Sequence, residues 1–168
     1  MSDDIRTVVA LRGNSGSGKS TVAQLLRSRA KNRMALVEQD YLRRVVLKQK
    51  GNQGAAAKDL IRQTTLLSLE HDYDVVLDGI LDMDNYGALL RELASRESCT
   101  LHVYWFDVPF EETLRRHRLK PIADAFGEIE MREWWRDQDP SGIEGEQLVP
   151  ARLSADAAVD RILGDTGL

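Results

Sequence analysis

Gly13-Asn14-Ser15-Gly16-Ser17-Gly18-Lys19-Ser20 is a complete G-x-x-x-x-G-K-S/T pattern, set between an apolar run, Thr7 to Leu11, and an amphipathic run, Thr21 to Ala30. A glycine-rich turn that leaves a strand and opens a helix directs several backbone N–H groups at one point, where the helix dipole also favours negative charge. The glycines permit close approach and positive φ. In such a loop Lys19 reaches the β- and γ-phosphates of a nucleotide and the Ser20 hydroxyl ligates Mg²⁺. Gly13 to Thr21 is therefore the candidate triphosphate site. The rival is a dinucleotide site, with Glu38 or Asp40 on the ribose. Lys19-Ser20-Thr21 stands where that fingerprint needs another glycine or alanine, and the Lys-Ser pair would have no task there.

Working outward, apolar runs alternate with helical patterns. Ile5–Leu11, Met34–Glu38, Tyr73–Leu77 and Leu101–Phe106 read as strands, nearly continuous in Val, Leu and Ile. Such runs suit strands covered on both faces of a parallel sheet. Tyr86, Leu89, Leu90, Leu93 and Ala94 fall at helical spacing, as do Ala155, Ala158, Val159, Ile162 and Leu163, with Ser154 as N-cap and Gly164 just past the end. Further helical patterns cover Lys58 to His71 and Pro109 to Leu119. Alternating strands and helices imply a doubly wound α/β fold. Gly51-Asn52-Gln53-Gly54 reads as a mobile loop, and the charged stretch Lys120 to Gly145 is too long for an ordinary connection and suggests a lid.

The 168 residues fit one domain, 1–168, with a lid segment at about 115–145. With 23 Lys and Arg against 27 Asp and Glu, the net charge of −4 offers no general attraction to nucleic acid or anionic membrane. Cys99 is the single cysteine, so no internal disulfide can form, and it reads as a small buried residue. No stretch has the length of a transmembrane helix, and the acidic start Met1-Ser2-Asp3-Asp4 is unlike a signal peptide. The expectation is a soluble cytoplasmic protein, monomer or homodimer, with a small-molecule hydroxyl substrate and no nucleic acid or membrane partner.

Three further groups carry candidate chemistry. Asp40 follows the second strand, where a carboxylate faces a γ-phosphate across the cleft and can orient and deprotonate an acceptor hydroxyl. Its plainer role is an N-cap for a helix starting near Tyr41. Asp78 ends Tyr73-Asp74-Val75-Val76-Leu77-Asp78-Gly79, the strand-tip arrangement that holds Mg²⁺ beside a phosphate loop, or else a turn aspartate. Gly79 would admit substrate close to the backbone. Arg115, Arg116 and Arg118 crowd the end of a helix leading into the lid. They form i,i+4 pairs with Glu111 and Glu112, or one of them neutralises a transferring phosphoryl group. Arg115 and Arg118, on one face, are the preferred candidates. Glu128, Arg132 and Arg136 read as a solvated ladder, and His102 and His117 as core-edge histidines. Met131, Trp134 and Trp135 form an apolar stripe that packs the lid down or walls a substrate.

With these pieces in place, the chain resembles the small P-loop kinases of the adenylate-kinase-like group: gluconate and shikimate kinases, chloramphenicol phosphotransferase and zeta-toxin-type kinases. The resemblance implies a P-loop NTPase α/β/α fold, a five-stranded parallel sheet of order 2-3-1-4-5 with a helical lid, and a fifth strand within Gln147–Val149. It implies that Pro150-Ala151-Arg152 lies against adenine, with Arg118 on the other face. Arg43 or Arg44, and Arg62, match substrate-binding positions. The implied activity is ATP- and Mg²⁺-dependent transfer of a γ-phosphoryl group to a hydroxyl, with Lys19, Asp40, Arg115 and Arg118 catalytic. A zeta-toxin-like nucleotide-sugar kinase and a non-kinase nucleotide-dependent switch or ATPase are the alternatives.

Overall fold

The computed structural model describes residues 5–50, 54–119 and 126–168. The expectations at Met1–Asp4, at 51–53 of the loop and at 120–125 of the lid fall outside them. Five strands, β1 (Arg6–Arg12), β2 (Met34–Glu38), β3 (Asp74–Asp78), β4 (Cys99–Asp107) and β5 (Gln147–Pro150), form one sheet of order β2-β3-β1-β4-β5. Every pairing is parallel. The order and the fifth strand match the expectation. Among the described residues there are six α-helices: α1 (Lys19–Arg29), α2 (Ala55–Glu70), α3 (Met83–Ser95), α4 (Phe110–His117), α5 (Glu128–Glu133) and α6 (Ala155–Thr166).

The near-continuous apolar strands are explained by two cores, one on each face. Val8, Ala10, Val75, Leu77 and Val103 pack with Ile61, Leu90 and Leu93 of α2 and α3. Val9, Leu11, Val76, Tyr104 and Val149 pack with Val22, Leu26, Val159 and Ile162 of α1 and α6. Successive residues serve opposite faces, so neither face of a central strand can be polar. Leu26, wholly buried, would lose about 2–5 kcal/mol on truncation to Ala. Cys99 is buried, as expected.

Ser154 caps α6, its Oγ accepting from the N–H of Ala157 at 3.2 Å. The helix does not stop at Gly164. It runs to Thr166 and closes on Gly167, whose φ of 75° lets its N–H reach the Leu163 carbonyl. A Cβ on Gly164 would meet nothing within 4 Å, so that glycine sits on an open face. Among the described residues no helix is long and apolar enough to cross a membrane.

The topology fixes where a ligand can sit. The chain passes from β1 to β2 at one edge, then returns through β3 to β4 on the far side of β1. A crevice opens beyond the carboxyl ends at such a reversal. Leu11 is in register with Asp78, and Asp78 with Glu38. The start of the glycine loop and two carboxylates therefore end level with one another.

Candidate active site

The loop between β1 and α1 takes the shape its glycines allow, with φ of 142° at Gly13, 80° at Gly16 and 100° at Gly18. At Gly16 a second requirement acts, because a Cβ there would meet the Thr113 carbonyl oxygen of α4 at 2.6 Å. Any side chain would push α4 off the loop. Lys19, the first residue of α1, is buried, and its Nζ donates to the Asn14 carbonyl at 2.8 Å and to Ser17 Oγ at 3.1 Å. An ammonium folded over the loop in this way is poised over the space the amides encircle.

A cavity of about 250 Å³ opens there, lined by Ser15, Gly16, Lys19, Ser20, Glu38, Asp40, Tyr41, Arg43, Arg44, Asp78, Gly79, Ile80, His117, Phe126 and Trp134. Asp78 is buried at the tip of β3, as the strand-tip reading expects. Glu38, at the tip of β2, joins it. Burial and then the charge of Asp78 push the Glu38 carboxyl above the usual carboxylate range. Two carboxylates and the Ser20 hydroxyl form a hard oxygen donor set, enough for an Mg²⁺ that keeps most of its water and shares phosphate oxygens. Among the described residues no cluster of three or more His, Cys, Asp or Glu could hold a metal on its own.

Asp40 does not cap a helix. It precedes a six-residue π-helix, Tyr41–Val46, and its side chain accepts no capping hydrogen bond. Its Oδ1 instead accepts from Arg43 Nη2 at 2.9 Å and lies 3.6 Å from Arg44 Nε. Single π-turns recur at functional sites because the extra residue re-aims side chains. Here the wide turn, closed by the Leu47 N–H on the Leu42 carbonyl, puts Asp40, Arg43 and Arg44 on the cavity wall together.

Gly79 lines the cavity, but its missing side chain serves a neighbour. A Cβ at Gly79 would meet Gln39 Oε1 at 2.2 Å. That oxygen accepts the N–H of Leu81, which holds a positive φ of 46°. Arg62 lies elsewhere. It bridges α2 to α3 through two 2.7 Å bonds to Glu92 and lines no part of this cavity, so its assignment to substrate is withdrawn.

The lid arginines are also rearranged. Arg115 and Arg118 do share a face, but it is the outward one. Arg115 is held by Glu112 and Arg118 lies 3.6 Å from Glu128, with side chains 64% and 68% exposed. Arg116 is the one that reaches the loop. Its Nη1 donates to the Ser17 carbonyl at 3.1 Å, its Nη2 to the Ala151 carbonyl at 3.0 Å and its Nε to Glu112. The physical reason is helical phase, since Thr113 and Arg116 lie one turn apart on the face that covers Gly16. Arg115 and Arg116 together hold the Glu112 carboxyl down at about 2. A second cavity, about 460 Å³, is lined by Gly18, Thr21, Arg116, Pro150, Arg152 and their neighbours. Pro150 and Arg152, which the resemblance sets against adenine, thus share one cavity with the end of the glycine loop.

Several residues of the site carried no clear local signal. Arg12 is fully buried at the end of β1. It donates to the carbonyls of Leu81 and Asp139 and to the carboxylates of Asp139 and Glu146, and lies over Trp105. Asn14 makes two bonds to the backbone of Arg136. These contacts tie residues 136–146 to the loop. Arg136 pairs with Asp84, outside the expected ladder, while Arg132 does pair with Glu128. His117 is buried, bonded to the Phe126 carbonyl and stacked on the Phe126 ring at 4.4 Å. Phe126 meets Trp134 at 5.1 Å, and Trp135 meets Phe110 edge-on. The tryptophans therefore divide the two roles considered for them, Trp134 walling the cavity and Trp135 packing on α4.

No curated protein matches the sequence. Solved structures do. The Mycobacterium tuberculosis APS kinase CysC in complex with AMPPNP and APS is 18% identical, with TM-score 0.74 over 95% of this chain and 96% of that one. The Deinococcus radiodurans tunicamycin resistance protein is 17% identical, with TM-score 0.64 over 97% and 96%. A sugar kinase from Janibacter sp. HTCC2649 is 18% identical, with TM-score 0.62 over 96% and 94%. At these identities the likeness is one of fold. The sequence profile of the AAA_33 family, described as an AAA domain, matches residues 8–134, from the first strand through the glycine loop and both strand-tip carboxylates to Trp134, and the chain belongs to that family.

Proposed function

We propose that this protein is an ATP- and Mg²⁺-dependent kinase that transfers the γ-phosphoryl group to a hydroxyl of a small molecule. The observation that carries the reading is the convergence of Lys19, Ser20, Glu38, Asp78 and Asp40 on one cavity at the carboxyl ends of β1, β2 and β3. The fold shared with an APS kinase and a sugar kinase supports it. The loop amides and Lys19 hold the phosphates, while Pro150, Arg152 and Arg116 flank the base. Ser20, Glu38 and Asp78 would hold Mg²⁺, which when bound supplies charge neutralisation across the phosphates.

Asp40 orients the acceptor hydroxyl and takes its proton as the acceptor oxygen bonds to the γ-phosphorus. The bond from that phosphorus to the β,γ-bridging oxygen breaks, and ADP leaves with the electron pair. Arg116 takes the place proposed for Arg115 and Arg118 as the arginine that fixes the nucleotide. Trp134, Phe126 and His117 screen the site from water, which would otherwise compete as acceptor.

The test separates binding from transfer. Asp40→Asn should retain Mg²⁺·AMPPNP affinity and lose acceptor phosphorylation by roughly 10²–10⁴-fold. Full transfer by Asp40→Asn would remove Asp40 as the base. A screen of alcohols by thermal shift, with Mg²⁺·AMPPNP present, should find acceptors that add stabilisation by mass action. A nucleotide switch would respond to nucleotide alone.

A further inference from the structure

We propose that Gln39 is a positioning residue for phosphoryl transfer: with Arg12 it clamps Leu81 in a left-handed conformation, and the clamp sets Ile80 as the partition between the active-site cavity and a larger one beside it. The inference deepens the kinase reading of that cavity and rests on it.

The turn after β3 is held in a conformation it would not adopt alone. Leu81 has a φ of 46°, where the Cβ of an L-residue is crowded, and a bulky side chain stays there only when its surroundings compel it. Both of its backbone polar groups are taken by side chains from other parts of the chain. Its N–H donates to Gln39 Oε1 at 3.2 Å, and its carbonyl accepts from Arg12 Nε at 3.0 Å. Gln39, Arg12 and Leu81 are all buried, so no bulk water stands in for either bond. A Cβ on Gly79 would also stand 2.6 Å from that of Gln39, so this side chain lies directly against the turn it holds. The Leu81 side chain belongs to the core of Ile61, Tyr86 and Leu90, which resists any relaxation that would withdraw it.

What the clamp positions is Ile80 rather than the carboxylate of Asp78. Asp78 is in register with Leu11 and Glu38, and the Gly79 N–H donates to the Leu11 carbonyl at 3.3 Å. The sheet therefore holds Asp78 whatever the turn does. On the other side Asp82 caps α3, accepting from the Asn85 N–H at 3.1 Å, and the Met83 N–H donates to Asp139. Ile80 stands between these anchors, next to the clamped residue. Ile80 and Trp134 line both the 250 Å³ cavity and a neighbouring one of about 640 Å³, which Asp82, Asn85 and Arg136 also line. With Ile80 fixed, the acceptor is confined beside Asp40. With Ile80 loose, the two spaces communicate and water enters from the larger one.

The experiment uses the full chain, isotope-labelled at the backbone amides and the isoleucine Cδ1 methyls, and the variant Gln39→Met, which keeps bulk over Gly79 but offers Leu81 no oxygen. In the wild type the Leu81 amide hydrogen should be protected from exchange; rapid exchange there overturns the inference without any variant. In Gln39→Met that exchange should quicken at least about tenfold. The Ile80 methyl signal, assigned by its loss in Ile80→Val, should shift or broaden, while that of Ile162 in the opposite core stays in place. With water as the acceptor, the kcat for ADP release by Gln39→Met should rise at least about threefold at an unchanged KM for ATP. Gln39→Glu, which keeps an oxygen at the same reach, should return the amide exchange and the methyl signal toward wild type. Thermal unfolding and Mg²⁺·AMPPNP binding report that each variant is folded. An unmoved Leu81 exchange or Ile80 methyl in folded Gln39→Met, a kcat that does not rise, or a Gln39→Glu that behaves as Gln39→Met overturns the inference and leaves the kinase reading standing. Failure of folded wild type to bind Mg²⁺·AMPPNP overturns both.

Discussion

The two ends of the cavity are built by different means. The phosphate end is a contiguous stretch, Gly13 to Ser20, whose shape follows from three left-handed glycines and the start of α1. The end proposed for the acceptor joins Asp40, Arg43 and Arg44 of one π-turn to His117, Phe126 and Trp134, some 80 residues on by the sequence numbering. Its two parts are joined by ring stacking and cation–π contact rather than by a continuous stretch of backbone. The difference teaches where generality and specificity reside. On the proposed reading, a triphosphate needs only this local backbone cradle, whereas an acceptor would be met by side chains gathered from segments distant in sequence.

The sharpest way to break the comparison is Lys19→Ala. Removal of the Lys19 ammonium over the loop should abolish ATP turnover, by roughly 10²–10³-fold or more, in an assay of ADP release. Retained turnover would mean that the cradle alone carries the phosphates. Next comes Arg12→Met, aimed at the joint between the start of the glycine loop and residues 136–146. It takes from Asp139 and Glu146 their shared, fully buried guanidinium, leaving them the Met83 N–H and the Ser141 N–H and hydroxyl, and should cost about 3–5 kcal/mol in urea unfolding. A loss under about 1 kcal/mol would show that residues 136–146 are not anchored through Arg12.

Arg116→Ala should raise the KM for ATP several-fold, whereas Arg115→Ala, on the outer face of α4, should leave it unchanged. Equal effects would undo the phase argument. The smallest effect concerns Glu38. Its folded carboxyl is raised by burial and by Asp78, so it binds its proton more tightly folded than unfolded. Stability therefore falls as pH rises from the ordinary carboxylate value through the raised one. Glu38→Gln should be the more stable protein at pH 7 in the absence of Mg²⁺, with the gain vanishing in acid. Thermal unfolding at the two pH values checks this. A destabilised Glu38→Gln would mean that the carboxylate is satisfied as it stands.

These contrasts also explain what could be read from sequence. The sheet order, the glycine loop and the strand-tip Asp78 were legible because each follows from a local pattern or from a family layout. Asp40 was located, but its alternative as a cap could be dismissed only once the π-turn was seen to give it Arg43 instead. Arg116 was hidden by its neighbours, because three arginines within four residues differ only in phase, and phase is meaningful only once the packed face is known. Arg62 misled for the opposite reason. Its position resembled a substrate site, while its partner, Glu92, lies 30 residues away on another helix. Arg12 gave one faint sign, a charge ending a buried strand, but Asp139 and Glu146 are too distant in sequence to pair with it by pattern.

The central claim is that a nucleoside triphosphate rests on the amides of Gly13–Ser20 with Mg²⁺ held at Ser20, Glu38 and Asp78. Calorimetric titration of the folded chain with AMPPNP, with and without millimolar Mg²⁺, tests it most directly. The account predicts saturable one-site binding that Mg²⁺ strengthens; no heat of binding in either condition, from protein with an intact thermal unfolding transition, would contradict it.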